Sequence, residues 1–130
     1  MRKKHKNNGS VFLIVVFITA LLTVLVTGML QINTEELQLL QNQIFAAKAL
    51  TIAEAGLNDG LSELRIDSNW NTGFTDKDFD GGTYTVTVNG STITSTGISP
   101  QGFAARVEAD ITIGSVSPYI IRIDNLRINE

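Results

Sequence analysis

Three aspartates at alternating positions, Asp76, Asp78 and Asp80, stand directly before Gly81. That spacing matches the first half of a calcium loop, in which oxygen ligands at alternate positions surround a hard cation and a glycine turns the chain. The place of the closing bidentate glutamate is held by Thr87. Ca²⁺ bound here would need backbone carbonyls or Asp67 to complete its shell, and the competing reading is a plain acidic loop. Other chemistry is sparser. The one histidine, His5, lies in a basic N-terminal segment, and there is no cysteine, so thiol catalysis, disulfides and thiolate metal sites are excluded. Glu54 has no histidine or second acid placed to work with it. Glu108 and Asp110 alternate on a strand pattern and read as solvated carboxylates. With no Ser-His-Asp set and little room for a cleft, the chain reads as something other than an enzyme.

The elements that must position these residues follow from hydrophobic period. Residues 66–130 form the expected head. Composition over 67–82 shifts to Asp, Asn, Gly and aromatics, the signature of a surface loop, with Trp70, Phe74 and Phe79 expected to cap a sheet against a helix. Beyond Gly82 the period becomes two. Tyr84, Val86 and Val88 alternate with threonines, Asn89-Gly90 predicts a type I′ hairpin turn, and Thr92 to Ser95 predicts the return strand. The turn explains Asn89-Gly90-Ser91 without invoking its match to a glycosylation sequon. Ala105, Val107, Ala109, Ile111 and Ile113 then face one way, and Arg106, Glu108, Asp110 and Thr112 the other. A last strand is expected after Pro118, with Tyr119, Ile121 and Ile123 inward and a tail through Leu126 and Ile128. Together these predict an antiparallel β-meander with one buried and one wet face.

Ahead of the head, residues 10–65 read as one long helix. Residues 7–34 carry no charge, and residues 11–30 are apolar except for Thr19, Thr23, Thr27 and Gly28. As a helix those twenty residues rise about 30 Å, the thickness of a bilayer core. Arg2, Lys3, Lys4 and Lys6 precede the run without an acid, which predicts a single pass through the cytoplasmic membrane with the N-terminus inside and the head outside. The run is longer than the apolar core of a secretory signal, Val26-Thr27-Gly28 is a poor cleavage site, and the first proline is Pro100. The span therefore covers residues 10–32. The threonines recur every four residues, so their hydroxyls share a face and either bond back to their own helix or pack, with Gly28, against a neighbouring helix. Residues 33–65 continue as an amphipathic segment. Leu37, Leu40, Ile44, Ala47, Leu50, Ala53, Leu57, Leu61 and Leu64 form a slowly turning stripe expected to carry the head, and Gly56 and Gly60 suit close packing.

This layout resembles the type IV pilin-like proteins, in particular the PilX-type minor pilins. The residues that carry the likeness are the basic leader ending in Gly9, Ser10 after it, the apolar run, and Gln38, Gln41 and Gln43 leading to Ala53-Glu54-Ala55-Gly56-Leu57. The likeness covers residues 1 to 65; in the head, the wording from Gly81 to Val88 and from Ile93 to Gly97 is similar in style. The resemblance implies cleavage of a leader, residues 1–9, by a prepilin peptidase between Gly9 and Ser10, methylation of the new amine, and partnership with other pilins through the N-terminal helix in a pilus or pseudopilus. It also admits calcium, which some pseudopilins require. One departure stands out. Major pilins place a glutamate at the fifth mature position, and here that residue is Ile14. Several minor members also lack it, which points to a minor, initiating or tip-proximal subunit. The alternative is a single-pass anchored binding domain that is never processed.

Charge supports an exported part that avoids nucleic acid. Without residues 1–9, six cations remain against thirteen acids, a formal charge of −7. Arg65, Lys77, Arg106, Arg122 and Arg127 are interleaved with acids and form no basic stripe. A head of some 65 residues is marginal by itself, and without disulfides its core must lean on the second half of the long helix.

Overall fold

The computed structural model describes residues 8–129. The cationic part of the leader lies outside the described residues. The architecture is α+β: one long N-terminal helix packed on a five-stranded antiparallel sheet. Helix α1 (Asn8–Ile66) is followed by β1 (Phe74–Phe79), β2 (Gly82–Asn89), β3 (Thr92–Ile98), β4 (Ala104–Ile113) and β5 (Ile121–Asn129). The strands lie side by side in chain order, each antiparallel to the next. The chain divides into two compact units, Met1–Leu40 and Gln41–Glu130.

In the second unit the helix buries Ile52, Ala53, Leu57, Leu61 and Leu64 against Tyr84, Val86, Ile93, Val107, Ala109 and Ile111 of the sheet. The helical residues recur at spacings of three and four and the strand residues at spacings of two, so each element presents a single apolar face. Each fully buried side chain of this size contributes about 1.5–3 kcal/mol. The helix comes unusually close to the sheet at two glycines. A Cβ on Gly97 would lie 2.3 Å from the Ala53 backbone nitrogen and 2.4 Å from the Ala49 carbonyl oxygen, and a Cβ on Gly56 would lie 2.4 Å from the Ser95 hydroxyl. Glycine on both sides of the contact lets the two backbones approach where a side chain would hold them apart.

The helical ladder closes on Asp67, from which the chain leaves in a local turn. Its backbone N–H donates to the Glu63 carbonyl (2.9 Å), and its side chain accepts from the Asn69 N–H (2.9 Å). The Tyr119 N–H donates to the Arg65 carbonyl at 3.2 Å, so the β4–β5 connection supplies a partner to the helix C-terminus.

Several expectations are corrected. The segment read as surface loop contains edge strand β1. Its Asp76, Lys77 and Asp78 are exposed, and charges are tolerated on an edge where one side of the strand is open to water. The β2–β3 turn centres on Gly90 and Ser91, because Asn89 pairs with Thr92. Only Gly90 has positive φ (61°), the type II′ pattern, which requires glycine at the first central position. The return strand runs on to Ile98. The stripe expected to carry the head does so only from Ala49 onward. Leu37, Leu40 and Ile44 are 55–62% exposed, since the sheet covers no more of the helix than that. Of the three capping aromatics, Trp70 and Phe74 pack on the core and Phe79 stays 41% exposed.

Strand β5 also departs from simple alternation. Ile111 pairs with Ile123 and Asp110 with Asn125, so Asp124 is an extra, bulged residue. The bulge shifts the phase and brings Leu126 and Ile128 opposite Ala109 and Val107, on the helix-facing side. Ile123, Leu126 and Ile128 remain 45–49% exposed there, beyond the cover of the helix.

Candidate functional site

Gly9 and Ser10 lie in the first described turn of α1, both exposed. A Cβ on Gly9 would meet nothing within 4 Å. Among the described residues nothing demands glycine there, in contrast to Gly56 and Gly97. The helix that follows is apolar all round, and the described residues include one helix long and apolar enough to cross a membrane. Between Val11 and Ile32, sixteen large apolar side chains are 48–71% exposed. Holding them in water would cost on the order of 20–30 kcal/mol. That is more than the whole stability of a small domain, and the helix is long and apolar enough to cross a membrane.

The threonines on this surface bond within their own helix. The Thr19 hydroxyl reaches the carbonyls of Val15 and Val16 (both 2.9 Å), Thr23 donates to the Thr19 carbonyl (2.8 Å), and Thr27 donates to the Thr23 carbonyl (2.8 Å). Each hydroxyl thereby has its proton satisfied within its own helix. Thr34 repeats the pattern on the Leu30 carbonyl at 2.9 Å. A Cβ on Gly28 would meet nothing within 4 Å, and its absence leaves a shallow notch of about 310 Å³ beside Thr23, Thr27 and Gln31. The threonines and Gly28 thus share one face, with their donors already used and a backbone surface open for contact.

Ala53-Glu54-Ala55-Gly56-Leu57 divides by face. Ala53, Gly56 and Leu57 are buried under the sheet, Ala55 is half-buried, and Glu54 is exposed. The small residues are explained by the close approach to Ser95, Tyr84 and Gly97. The motif is a seat for the head on the helix.

The three aspartates do not converge. Asp80 and Gly81 are the two central residues of the β1–β2 hairpin, with φ of 49° and 79°, the type I′ pattern that Asp-Gly favours. The Asp80 carboxylate faces Lys48 at 3.5 Å. Asp76 sits at a break in the β1 register with φ of 46°, and its carboxylate accepts from the Thr85 hydroxyl at 3.3 Å. Among the described residues no group of three or more His, Asp or Glu is gathered to hold a metal ion. The spacing that resembles a calcium loop is accounted for by a strand ending in a tight turn.

A polar cluster that periodicity did not reveal lies where β1 meets the helix. One Asp59 oxygen accepts from the Lys77 ammonium and from the Tyr84 hydroxyl, each at 2.5 Å. The ammonium also stands 4.3 Å from the centre of the Phe74 ring. The Lys77 bond, then the Tyr84 bond, hold the Asp59 carboxyl below its ordinary range, and the Asp59 bond pushes the Lys77 ammonium up. Burial is the main reason the Tyr84 phenol is raised. The cluster ties the edge strand to the helix. The helical position of Asp59 alone gives no sign of a partner eighteen residues away; Lys77, out of phase with Asp76 and Asp78, is the available signal. On the opposite face of the sheet, Glu108 accepts from Arg127 and from Arg106 (2.8 Å), and Asp124 accepts from Thr112 (2.5 Å) and Arg122 (2.7 Å). Arg127 above all holds the Glu108 carboxyl low, and Thr112 followed by Arg122 does the same for Asp124.

Set against family models, curated proteins and solved structures, the chain matches none. Its own geometry therefore carries the functional argument. That geometry consists of an apolar helix surface with saturated hydroxyls, running in one helix to a segment that seats a sheet. The described carboxylates are engaged in ion pairs and turns or face solvent.

Proposed function

We propose that this chain is a minor type IV pilin or pseudopilin, a structural or initiating subunit of an extracellular pilus or secretion pseudopilus. The observation that carries the reading is the single helix Asn8–Ile66. Its first part exposes apolar side chains all round, while its last turns are built to hold a small sheet. In this reading a prepilin peptidase cuts after Gly9 at the cytoplasmic face of the inner membrane, and the helix stays in the bilayer with the head outside. On assembly the lipid around residues 11–32 is exchanged for the helices of other pilins, an exchange of one apolar environment for another, so transfer need not be driven by large free energies. The back-bonded threonines suit both surroundings, because their hydroxyls need no new partner in either. The absence of a steric need for glycine at position 9 supports a role for Gly9 outside the folded chain. With Ile14 at the fifth mature position there is no carboxylate to pair with a neighbour's terminal amine, which favours a minor position over a bulk subunit. The function is assembly rather than turnover.

Intact mass and N-terminal sequencing, with and without a co-expressed prepilin peptidase, test this. We expect a peptidase-dependent start at Ser10 that Gly9→Leu abolishes. An unprocessed N-terminus in both samples refutes the proposal in favour of a permanent anchor.

A further inference from the structure

A cavity of about 370 Å³ opens between the end of α1 and the β2–β3 hairpin, and no charged side chain lines it. Leu64 and Ile113 are among its apolar walls, and the chain's one tryptophan, Trp70, stands beside them. Trp70 is half-buried, packed against the core and held by the tilted Phe74 ring at 5.1 Å between centroids. Asn69, Asn71 and Asn89, all exposed, line the same opening as Trp70. Among the described residues, none of these three side chains hydrogen-bonds to another protein group. The connection between α1 and β1 and the β2–β3 turn are far apart in sequence, yet both deliver asparagine to the same opening.

We propose that this cavity binds a neutral saccharide of one or two sugar rings. Its volume is at the small end of ligand sites, which run from about 300 to 1,000 Å³. An indole offers a flat apolar surface suited to the C–H face of a pyranose. Each free carboxamide offers two N–H donors and a carbonyl acceptor, the complement of neighbouring hydroxyls that both donate and accept. A charged ligand would enter without a counter-charge. A purely apolar one would strip water from three amides and leave them unpaired. Trp70 is fixed by packing before any ligand arrives, so stacking on it costs little ordering. The site does not depend on whether Gly9 is cut.

Because Trp70 is the one tryptophan and lines this cavity, its emission reports a ligand bound there. The full chain, held in a zwitterionic detergent without sugar head groups, is titrated with glucose, N-acetylglucosamine, cellobiose, lactose and chitobiose. We expect a saturable change in emission for at least one of them, with Kd near about 1 mM, as befits an open site with few contacts. Asn71→Ala and Asn89→Ala should each weaken that binding about three- to tenfold, the effect of losing one net hydrogen bond. Asn71 lies outside the helix and strands, so its substitution spares the fold even if Asn89→Ala disturbs the hairpin. Three results overturn the proposal. The first is no saturable change for any of the five sugars. The second is a saturable change that both asparagine variants leave intact. The third is tighter binding of glucuronate than of glucose.

Discussion

Gly97→Ala probes the contact on which the seating of the head depends. The new methyl would lie 2.3 Å from the Ala53 nitrogen and 2.4 Å from the Ala49 carbonyl oxygen, both backbone atoms of one helical turn, with the Ala53 Cα at 2.9 Å. No rotamer change relieves such a clash. The helix must move off the sheet by about 1 Å, and a gap of that size forfeits a quarter to a half of the dispersion energy across it. The loss falls on the whole interface from Ile52 to Leu64, which is buried against Val86, Ile93 and Val107. Ordinary overpacking costs about 1–3 kcal/mol. Because backbone has to yield here, we expect the upper end or beyond, about 3–5 kcal/mol. Urea unfolding of the full chain in detergent, followed by Trp70 emission, measures it. Gly28→Ala serves as the control, since a Cβ there meets nothing within 4 Å, and should leave the midpoint unchanged. A loss below about 1 kcal/mol for Gly97→Ala, within the range of ordinary surface changes and mild repacking, would refute the close helix–sheet seat.

Two further outcomes follow from the polar groups. The Asp59 carboxyl is held low by Lys77 and Tyr84, so its contribution is present above the unfolded carboxylate pKa of about 3.9 and is lost as pH falls through the lower folded value. Glu108 and Asp124 are shifted in the same direction. The head should therefore lose stability on acidification below about pH 4, and Asp59→Asn should lower the midpoint at neutral pH and flatten that acid limb; an unchanged limb would contradict the role given to the cluster. Calcium should leave the unfolding midpoint where EDTA leaves it, because Asp80 is engaged in a turn and with Lys48 while Asp76 serves Thr85. Saturating binding at a hundredfold Kd would instead stabilise the fold by about 2.7 kcal/mol, and a rise of that order would restore the calcium loop.

The local chemistry of residues declared the elements and little of their meeting. An uncharged apolar run, a change of period from 3.6 to two, and alternation in β2 and β4 were legible because each depends on neighbours within a few residues, and the α+β architecture follows from them. Even the seat of the head was partly visible, as small residues in Ala53-Glu54-Ala55-Gly56-Leu57. What waited for the tertiary structure is whatever depends on residues distant in sequence. Strand β1 exists because an edge tolerates Asp76, Lys77 and Asp78, and the spacing that suggests a cation site is the spacing of a strand entering an Asp-Gly turn. Register moved the second turn to Gly90-Ser91, and the bulge at Asp124 set which side of the sheet Leu126 and Ile128 occupy. Asp59 acquires a function only when folding brings Lys77 and Tyr84 to one of its oxygens, and Trp70 meets three asparagines only across two connections. Periodicity reports how a segment divides between oil and water; which segment covers which, and where the cover stops, is decided by packing in three dimensions.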